Sequence, residues 1–202
     1  MIDGLIKSKI DPLWEAMSTP LVRAGLTPNQ VTFAGLVLIV LTSAAYLWHG
    51  SEVVYGLTLA LAFAFDALDG AVARRRDMRS HAGGYFDAMV DRYQELAVLA
   101  TLAHVHDAWP LALACFSGSV ITSYAKARTA IETEISNEDW PDFFERMERV
   151  IYLCAMLIGA GLLGGWVVTV GLAGFAILSH LTALQRARRA WGLLRGLDQE
   201  RR

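Results

Sequence analysis

The 202-residue chain is 54% hydrophobic and sets 18 Lys and Arg against 20 Asp and Glu. A soluble domain carries about 45–50% apolar residues, and here the excess is gathered in long blocks almost free of charge. The near-neutral balance argues against a nucleic-acid partner recognised through bulk charge, and Cys115 and Cys154, each inside an apolar block, read as packing residues rather than a disulfide or metal pair.

Ile2 to Ala24 places Leu5, Ile6, Ile10, Leu13, Trp14, Met17 and Leu21 at helical spacing among charged residues. That pattern predicts an amphipathic helix over residues 1–25 lying on the inner leaflet, with Trp14 at headgroup depth. The stretch has charges and no apolar h-region, so it does not resemble a cleaved signal peptide. In GLTPNQVT, Gly25 to Thr32, Thr27 is placed to cap a helix and Pro28 to open it.

The first span follows over Gln30 to Trp48, and the second runs from Glu52 to Arg76. A polar turn around Asp77 to Ser80 reverses the chain into a third span, His81 to His104, and the fourth covers Trp109 to Thr129. Glu132 to Trp140 reads as a loop, Pro141 as the opening of the fifth helix, and the sixth ends among basic residues after Leu184. A hydrocarbon core of about 30 Å needs about 20 apolar residues per helix, so several spans reach that length only by including polar inner ends. The expectation is an all-α polytopic membrane protein, six transmembrane helices behind an N-terminal interfacial helix. Residues 1–202 form one domain, divided as 1–25 interfacial helix, 26–190 bundle and 191–202 basic cytoplasmic tail.

Charge orients the bundle. Lys7, Lys9 and Arg23, then Arg74, Arg75, Arg76 and Arg79, then Lys126, Arg128, Arg146 and Arg149, then the basic residues from Arg186 onward all fall at alternate ends of the spans. The opposite loops, 49–52, 104–109 and 163–166, hold no Lys or Arg. The positive-inside rule puts both termini and the Asp-rich segment on the cytoplasmic side of the cell membrane. His104 and His106 read as a solvated or interfacial outer loop rather than a metal site. Gly161, Gly164, Gly165, Gly171 and Gly174 serve either close helix packing, as in a dimer, or the turn between spans.

Phe65 to Tyr93 carries Asp66, Asp69, Asp87 and Asp91 where the chain enters and leaves the membrane. A helix advances about 100° per residue, so Asp66, Asp69, Gly70, Ala73 and Arg74 share one arc of roughly 140°, and Gly83, Asp87 and Asp91 form a stripe on the next, antiparallel helix. Carboxylates converging in a low dielectric repel unless a cation joins them. Hard oxygen ligands without Cys or paired His favour Mg2+, Mn2+ or Ca2+ over zinc. Gly70, Ala73 and Gly83 remove bulk from that face, and Arg74 can hold a phosphate oxygen. Together these residues imply a diphosphate site.

Asp66-x2-Asp69-Gly70-x2-Ala73-Arg74-x8-Gly83-x3-Asp87-x3-Asp91 matches every position of the signature of the CDP-alcohol phosphotransferase family, and the helix pattern extends the resemblance over nearly the whole chain. The resemblance implies an integral membrane enzyme, commonly a homodimer, that moves a phosphatidyl-type group from a CDP-linked lipid to an alcohol and releases CMP with the aid of two Mg2+ or Mn2+ ions. It implies that Asp66, Asp69, Asp87 and Asp91 are metal ligands and that Asp91 is also the general base on the acceptor hydroxyl. It places Gly70, Ala73, Arg74 and Gly83, together with Asp66 and Asp69, at the CDP site. Asn29 and Thr32 resemble the family's first-helix residues near the nucleotide, although Asn29 also reads as a turn residue.

SYAKAR, Ser123 to Arg128, closes the fourth span, and ERMER, Glu145 to Arg149, opens the fifth. If those ends meet near the aspartates, Lys126, Arg128, Arg146 and Arg149 make a basic pocket for an acceptor that carries phosphate; ordinary positive-inside decoration is the plainer reading of the same residues. The stretch is similar to the branch that makes phosphatidylinositol phosphate or its archaeal ether-lipid counterpart from inositol phosphate, and Asp91-Arg92 suits that branch. TAIETEISNEDW after Arg128 is more acidic than that branch leads one to expect, so glycerol 3-phosphate, as in a phosphatidylglycerophosphate synthase, or an unphosphorylated alcohol such as serine stays open. Two other classes compete: an Asp-rich intramembrane prenyltransferase, which has no use for the Gly70, Arg74, Gly83 spacing, and a cation transporter, which needs carboxylates at mid-bilayer on several helices.

Overall fold

The computed structural model describes residues 2–135, 140 and 143–200. Those residues form α1 (Ile2–Arg23), α2 (Pro28–His49), α3 (Glu52–Asp66), α4 (Leu68–Arg75), α5 (His81–His106), α6 (Trp109–Glu132), α7 (Arg146–Leu163) and α8 (Trp166–Glu200), with no strand among them. Three stretches are long and apolar enough to cross a bilayer, Pro28–His49, Glu52–Arg75 and Trp166–Gln199, which makes this a membrane protein. Helix α5 carries Asp87, Asp91, Arg92 and Glu95 within it, and α7 carries Arg146, Glu148 and Arg149 in its first turn. The count of six spans depends on adding these two and α6.

Local signals set the helix starts that matter for the site. The Thr27 hydroxyl accepts from the Gln30 backbone N–H, and the Gln30 side chain accepts from the Thr27 N–H at 2.9 Å, a capping box that fixes the first turn of α2. Asp77 takes a left-handed backbone (φ 52°) in the reversal, and the Ser80 hydroxyl caps α5 by accepting from the Gly83 N–H at 3.0 Å. The expected second span is interrupted at Ala67, which ends α3 and begins α4. The fifth helix begins at Arg146, and Pro141, expected to open it, lies outside the described residues. Helix α8 runs past its apolar part to Glu200, so Arg186 to Arg195 stand on a helix.

Two clusters of apolar side chains hold the bundle. The larger joins α2, α3, α5, α6, α7 and α8 through residues such as Ile39, Leu59, Leu99, Leu157, Leu172 and Phe175. Gly56 and Gly161 let α3 and α7 meet: a Cβ on Gly56 would sit 3.0 Å from the Cys154 carbonyl, and one on Gly161 would collide with Val53. These contacts lie within one chain. The smaller cluster is Val31, Leu68 and Val72 with Trp14, Leu21 and Val22 against it, and it seats α1 on α2 and α4. Its attachment is reinforced from α4. Arg75 Nη1 donates to the Glu15 carbonyl at 2.7 Å, and Arg76 Nη1 donates to the carbonyls of Gly25 and Leu26 at 2.7 and 2.6 Å. At the other end of the bundle His106 is the last residue of α5 rather than part of a loop, and its Nε2 lies 2.9 Å from the Tyr46 hydroxyl.

Candidate active site

The acidic stripes meet. Asp66 at the end of α3 and Asp87 and Asp91 on α5 each present a carboxylate oxygen to a group whose members all lie within 4.8 Å of one another. The reversal at Asp77 to Ser80 turns the chain back, but α5 packs against α2 and α6 rather than against α3 or α4 as the sequence led one to expect. The carboxylates therefore meet beside α2 without their helices being packed neighbours. Asp69, one turn along in α4, accepts a hydrogen bond from the Thr32 hydroxyl at 2.5 Å, so α2 joins the site. Asp66 lies in the last turn of α3 and Asp69 in the first turn of α4, and Asp87 and Asp91 lie in the first half of α5.

Asp66 is only 1% exposed, and both of its oxygens are engaged. Gln94 Nε2 donates to Oδ1 at 2.8 Å, and Arg146 Nη2 donates to Oδ2 at 2.7 Å. The same Arg146 nitrogen donates to Gln94 Oε1 at 2.6 Å and stands 2.6 Å from Asp91 Oδ1. That last contact is an ion pair without hydrogen-bond geometry, and Asp91 Oδ1 is buried with no hydrogen bond. The group contains carboxylate oxygens only, with no His or Cys, and one of those oxygens has unused accepting capacity. This donor set fits a hard divalent cation such as Mg2+ or Mn2+.

Glycine makes room around these groups. A Cβ on Gly35 would lie 2.5 Å from Asp66 Oδ1 and 2.8 Å from its Cβ, so α2 can pass Asp66 only without a side chain there. A Cβ on Gly83 would lie 3.5 Å from Asn29 Oδ1, which places Asn29 beside the start of α5, and one on Gly70 would lie 3.6 Å from Arg74 Nη1. Ala73, half-buried, closes the reversal by accepting from the Met78 N–H at 2.9 Å. Asn29, Thr32 and Gly35 recur every three residues on one face of α2. That periodicity was the signal available for Gly35.

A cavity of about 920 Å³ opens beside the carboxylates. Its polar end is lined by Asp87, Asp91, Arg74, Arg146, Arg149 and Arg186, and its apolar flank includes Ala60, Ala64, Ile151 and Ile158. Of the four residues expected to form an acceptor pocket, Arg146 and Arg149 line this cavity. Lys126 and Arg128 are not among its walls, and Arg128 turns instead to Glu132, 2.6 Å away and one helical turn on. Arg186, read from the sequence only as part of the basic end, reaches the cavity from α8. Its Nη1 donates to the Thr122 carbonyl at 2.7 Å, and its Nη2 donates to Glu145 Oε1 at 3.2 Å. Behind the cavity Glu95 is a shared anion: Arg149 Nε donates to Oε1 at 2.6 Å and Arg92 Nη1 to Oε2 at 2.8 Å.

The family model described as CDP-alcohol phosphatidyltransferase matches residues 25–178. The chain belongs to that family, and with it to the transferases of substituted phosphate groups. It is similar to the archaetidylinositol phosphate synthase of Pyrococcus horikoshii, with 31% identity over 187 residues covering 92% of this chain and 94% of the relative. Among solved structures it is similar to the phosphatidylinositol phosphate synthase of Mycobacterium tuberculosis with CDP-DAG bound. That likeness has a TM-score of 0.77 at 27% identity and covers 89% of this chain and 94% of the other. The crystal structure of the same enzyme with manganese and citrate gives a TM-score of 0.77 at 28% identity and covers 88% of each chain.

Proposed function

We propose that this protein is a membrane enzyme of phospholipid synthesis that transfers a phosphatidyl-type group from a CDP-linked lipid to inositol phosphate and releases CMP. The observation that carries the reading is a carboxylate cluster of Asp66, Asp87 and Asp91, of which Asp87 and Asp91 face the same cavity as Arg146, Arg149 and Arg186. A diphosphate needs the first, an acceptor bearing phosphate needs the second, and the transfer needs both within reach. The likeness to synthases of archaetidylinositol phosphate and phosphatidylinositol phosphate supports the choice of acceptor.

Asp66, Asp69, Asp87 and Asp91 would hold two divalent cations, Mg2+ or Mn2+, which would neutralise the diphosphate and the charge developing on departing CMP. Asn29, Thr32, Gly70, Ala73, Arg74 and Gly83 line the nucleotide, with Thr32 fixing Asp69 and the glycines admitting the substrate to the backbone. Asp91 accepts the proton of the acceptor hydroxyl as its oxygen attacks phosphorus in line; its buried Oδ1, which takes no hydrogen bond and faces Arg146, is the atom suited to take it. Placement and fixed charge supply most of the acceleration. The apolar flank at Ala60, Ala64, Ile151 and Ile158 leads the lipid chains toward the bilayer. In this reading α5, α6 and α7 also span, giving six crossings within residues 26–190. The 1–25 helix and the 191–202 tail lie against the cytoplasmic leaflet, both termini and the site face the cytoplasm, and the protein works as a homodimer among membrane lipids.

The test offers purified protein a CDP-linked lipid with Mg2+ or Mn2+ and, separately, inositol phosphate, glycerol 3-phosphate and serine, and follows CMP release. Release fastest with inositol phosphate is expected. Faster release with glycerol 3-phosphate or serine overturns the acceptor, and no release with any of them overturns the reaction.

A further inference from the structure

We propose that Arg146 is the protein's own counter-ion for the carboxylate cluster, exchanged for metal when the cation binds, and that the exchange delivers its guanidinium to the acceptor's phosphate. This rests on the function proposed above and adds an order to it: metal first, acceptor second.

The geometry leaves little choice about what moves. Both oxygens of Asp66 are already engaged, and a divalent cation brought to the same carboxylates as a guanidinium is repelled by it. Oδ1 is held by Gln94, which is fully buried and packed close to where Gly35 allows α2 to pass; Oδ2 is held by Arg146. Arg146 holds its place with one nitrogen bridging Asp66, Asp91 and Gln94, the arrangement of an ion among ligands. Its side chain is 32% exposed, in contrast to Gln94, and it lines the open cavity. Arg146 therefore has somewhere to go. It is also the first residue of α7, where the helix dipole disfavours a cation and favours an anion. Its seat is fixed by the carboxylates, and once they turn to metal the favourable partner at that helix start is a phosphate. Arg149 and Arg186 already line the same cavity, so the released guanidinium joins them. Coupling of this kind is reciprocal: what metal adds to phosphate affinity, phosphate adds to metal affinity.

The test labels wild-type protein in detergent with phenylglyoxal, an arginine reagent, in EDTA and in Mn2+, and reads each arginine by peptide mass spectrometry. Mn2+ occupancy is followed in parallel by the loss of the free-ion electron paramagnetic resonance signal. Labelling of Arg146 is expected to rise about tenfold with Mn2+, while Arg149, held by Glu95, stays unchanged. R146Q, free of the internal competitor, is expected to bind Mn2+ about tenfold more tightly than wild type. Mn2+ bound with Arg146 labelling unchanged or lowered overturns the exchange and leaves the metal site standing. Absence of any Mn2+ binding overturns both. The labelling arm uses the unaltered chain, so it decides the matter even if R146Q does not fold.

Discussion

The Thr32 hydroxyl donates to Asp69 Oδ2 at 2.5 Å and ties the second turn of α2 to the first turn of α4. A hydrogen bond to a charged group contributes about 1.5–3 kcal/mol, and this one fixes which way the Asp69 carboxylate, outside the Asp66–Asp87–Asp91 group, faces. Thr32→Val keeps the shape and removes the donor, so kcat/KM for CMP release should fall about tenfold or more. Thr32→Ser should restore most of it. A Val variant as active as wild type would show that Asp69 is oriented by something else.

Arg75 connects α1 to the site without touching substrate. Its Nη1 reaches the Glu15 carbonyl and the Thr19 hydroxyl at 2.7 and 2.6 Å, and Trp14 on the same helix lines the cavity. Arg75→Ala should lower stability by about 1 kcal/mol and the melting temperature in detergent by about 2–4 °C. It should also expose α1 to limited proteolysis. An unaltered cleavage pattern would mean that the apolar cluster around Val31, Leu68 and Val72 holds α1 alone.

Spacing within a helix made much of this legible beforehand. The Asp and Gly stripes, the Thr27 cap and the reversal at Asp77 are short-range features, and periodicity encodes them. Partners across the bundle were not legible. Arg146 meets Asp66 across 80 residues and Arg75 meets Thr19 across 56, and neither pairing leaves a mark in local sequence. Arg74, Arg75 and Arg76 read as one basic run, yet Arg75 turns to α1, Arg76 to the turn between α1 and α2, and Arg74 to the cavity. Lys126 and Arg128 were grouped with Arg146 and Arg149 for the same reason: sequence gives the charge near a helix end but not the direction in which it points.

Gly35 supplies a steric test that leaves every charge in place. A methyl group there would lie 2.5 Å from Asp66 Oδ1, so either α2 or the carboxylate must shift. Overpacking of this kind costs about 1–3 kcal/mol. Gly35→Ala should lower kcat/KM about tenfold to a hundredfold and weaken Mn2+ binding. Gly84→Ala is the control, because a Cβ at Gly84 meets nothing within 4 Å. Equal behaviour of the two variants would show that contact with Asp66 is not what Gly35 protects.

Asp66 and Asp91 are both carboxylates of the cluster, but their surroundings predict different defects. Asp66 has both oxygens occupied by donors, so Asp66→Asn must turn an amide N–H toward either Gln94 Nε2 or Arg146. Breaking a buried charge pair costs about 3–5 kcal/mol, and this variant should melt early and bind metal poorly. Asp91 Oδ1 takes no hydrogen bond and faces Arg146 Nη2 at 2.6 Å, while Oδ2 lies 3.8 Å from Arg92 Nη2, so an Asn can keep its oxygen toward Arg146 and put its amide on the looser side. Asp91→Asn should fold and keep its affinity for the CDP-linked lipid, yet lose the atom that accepts the proton, lowering kcat about 10²–10⁴-fold. Melting curves and single-turnover CMP release separate the two cases. If Asp91→Asn turned over normally, the proton would have to leave by another group; if it melted as early as Asp66→Asn, the role of Asp91 would be to hold the cluster together.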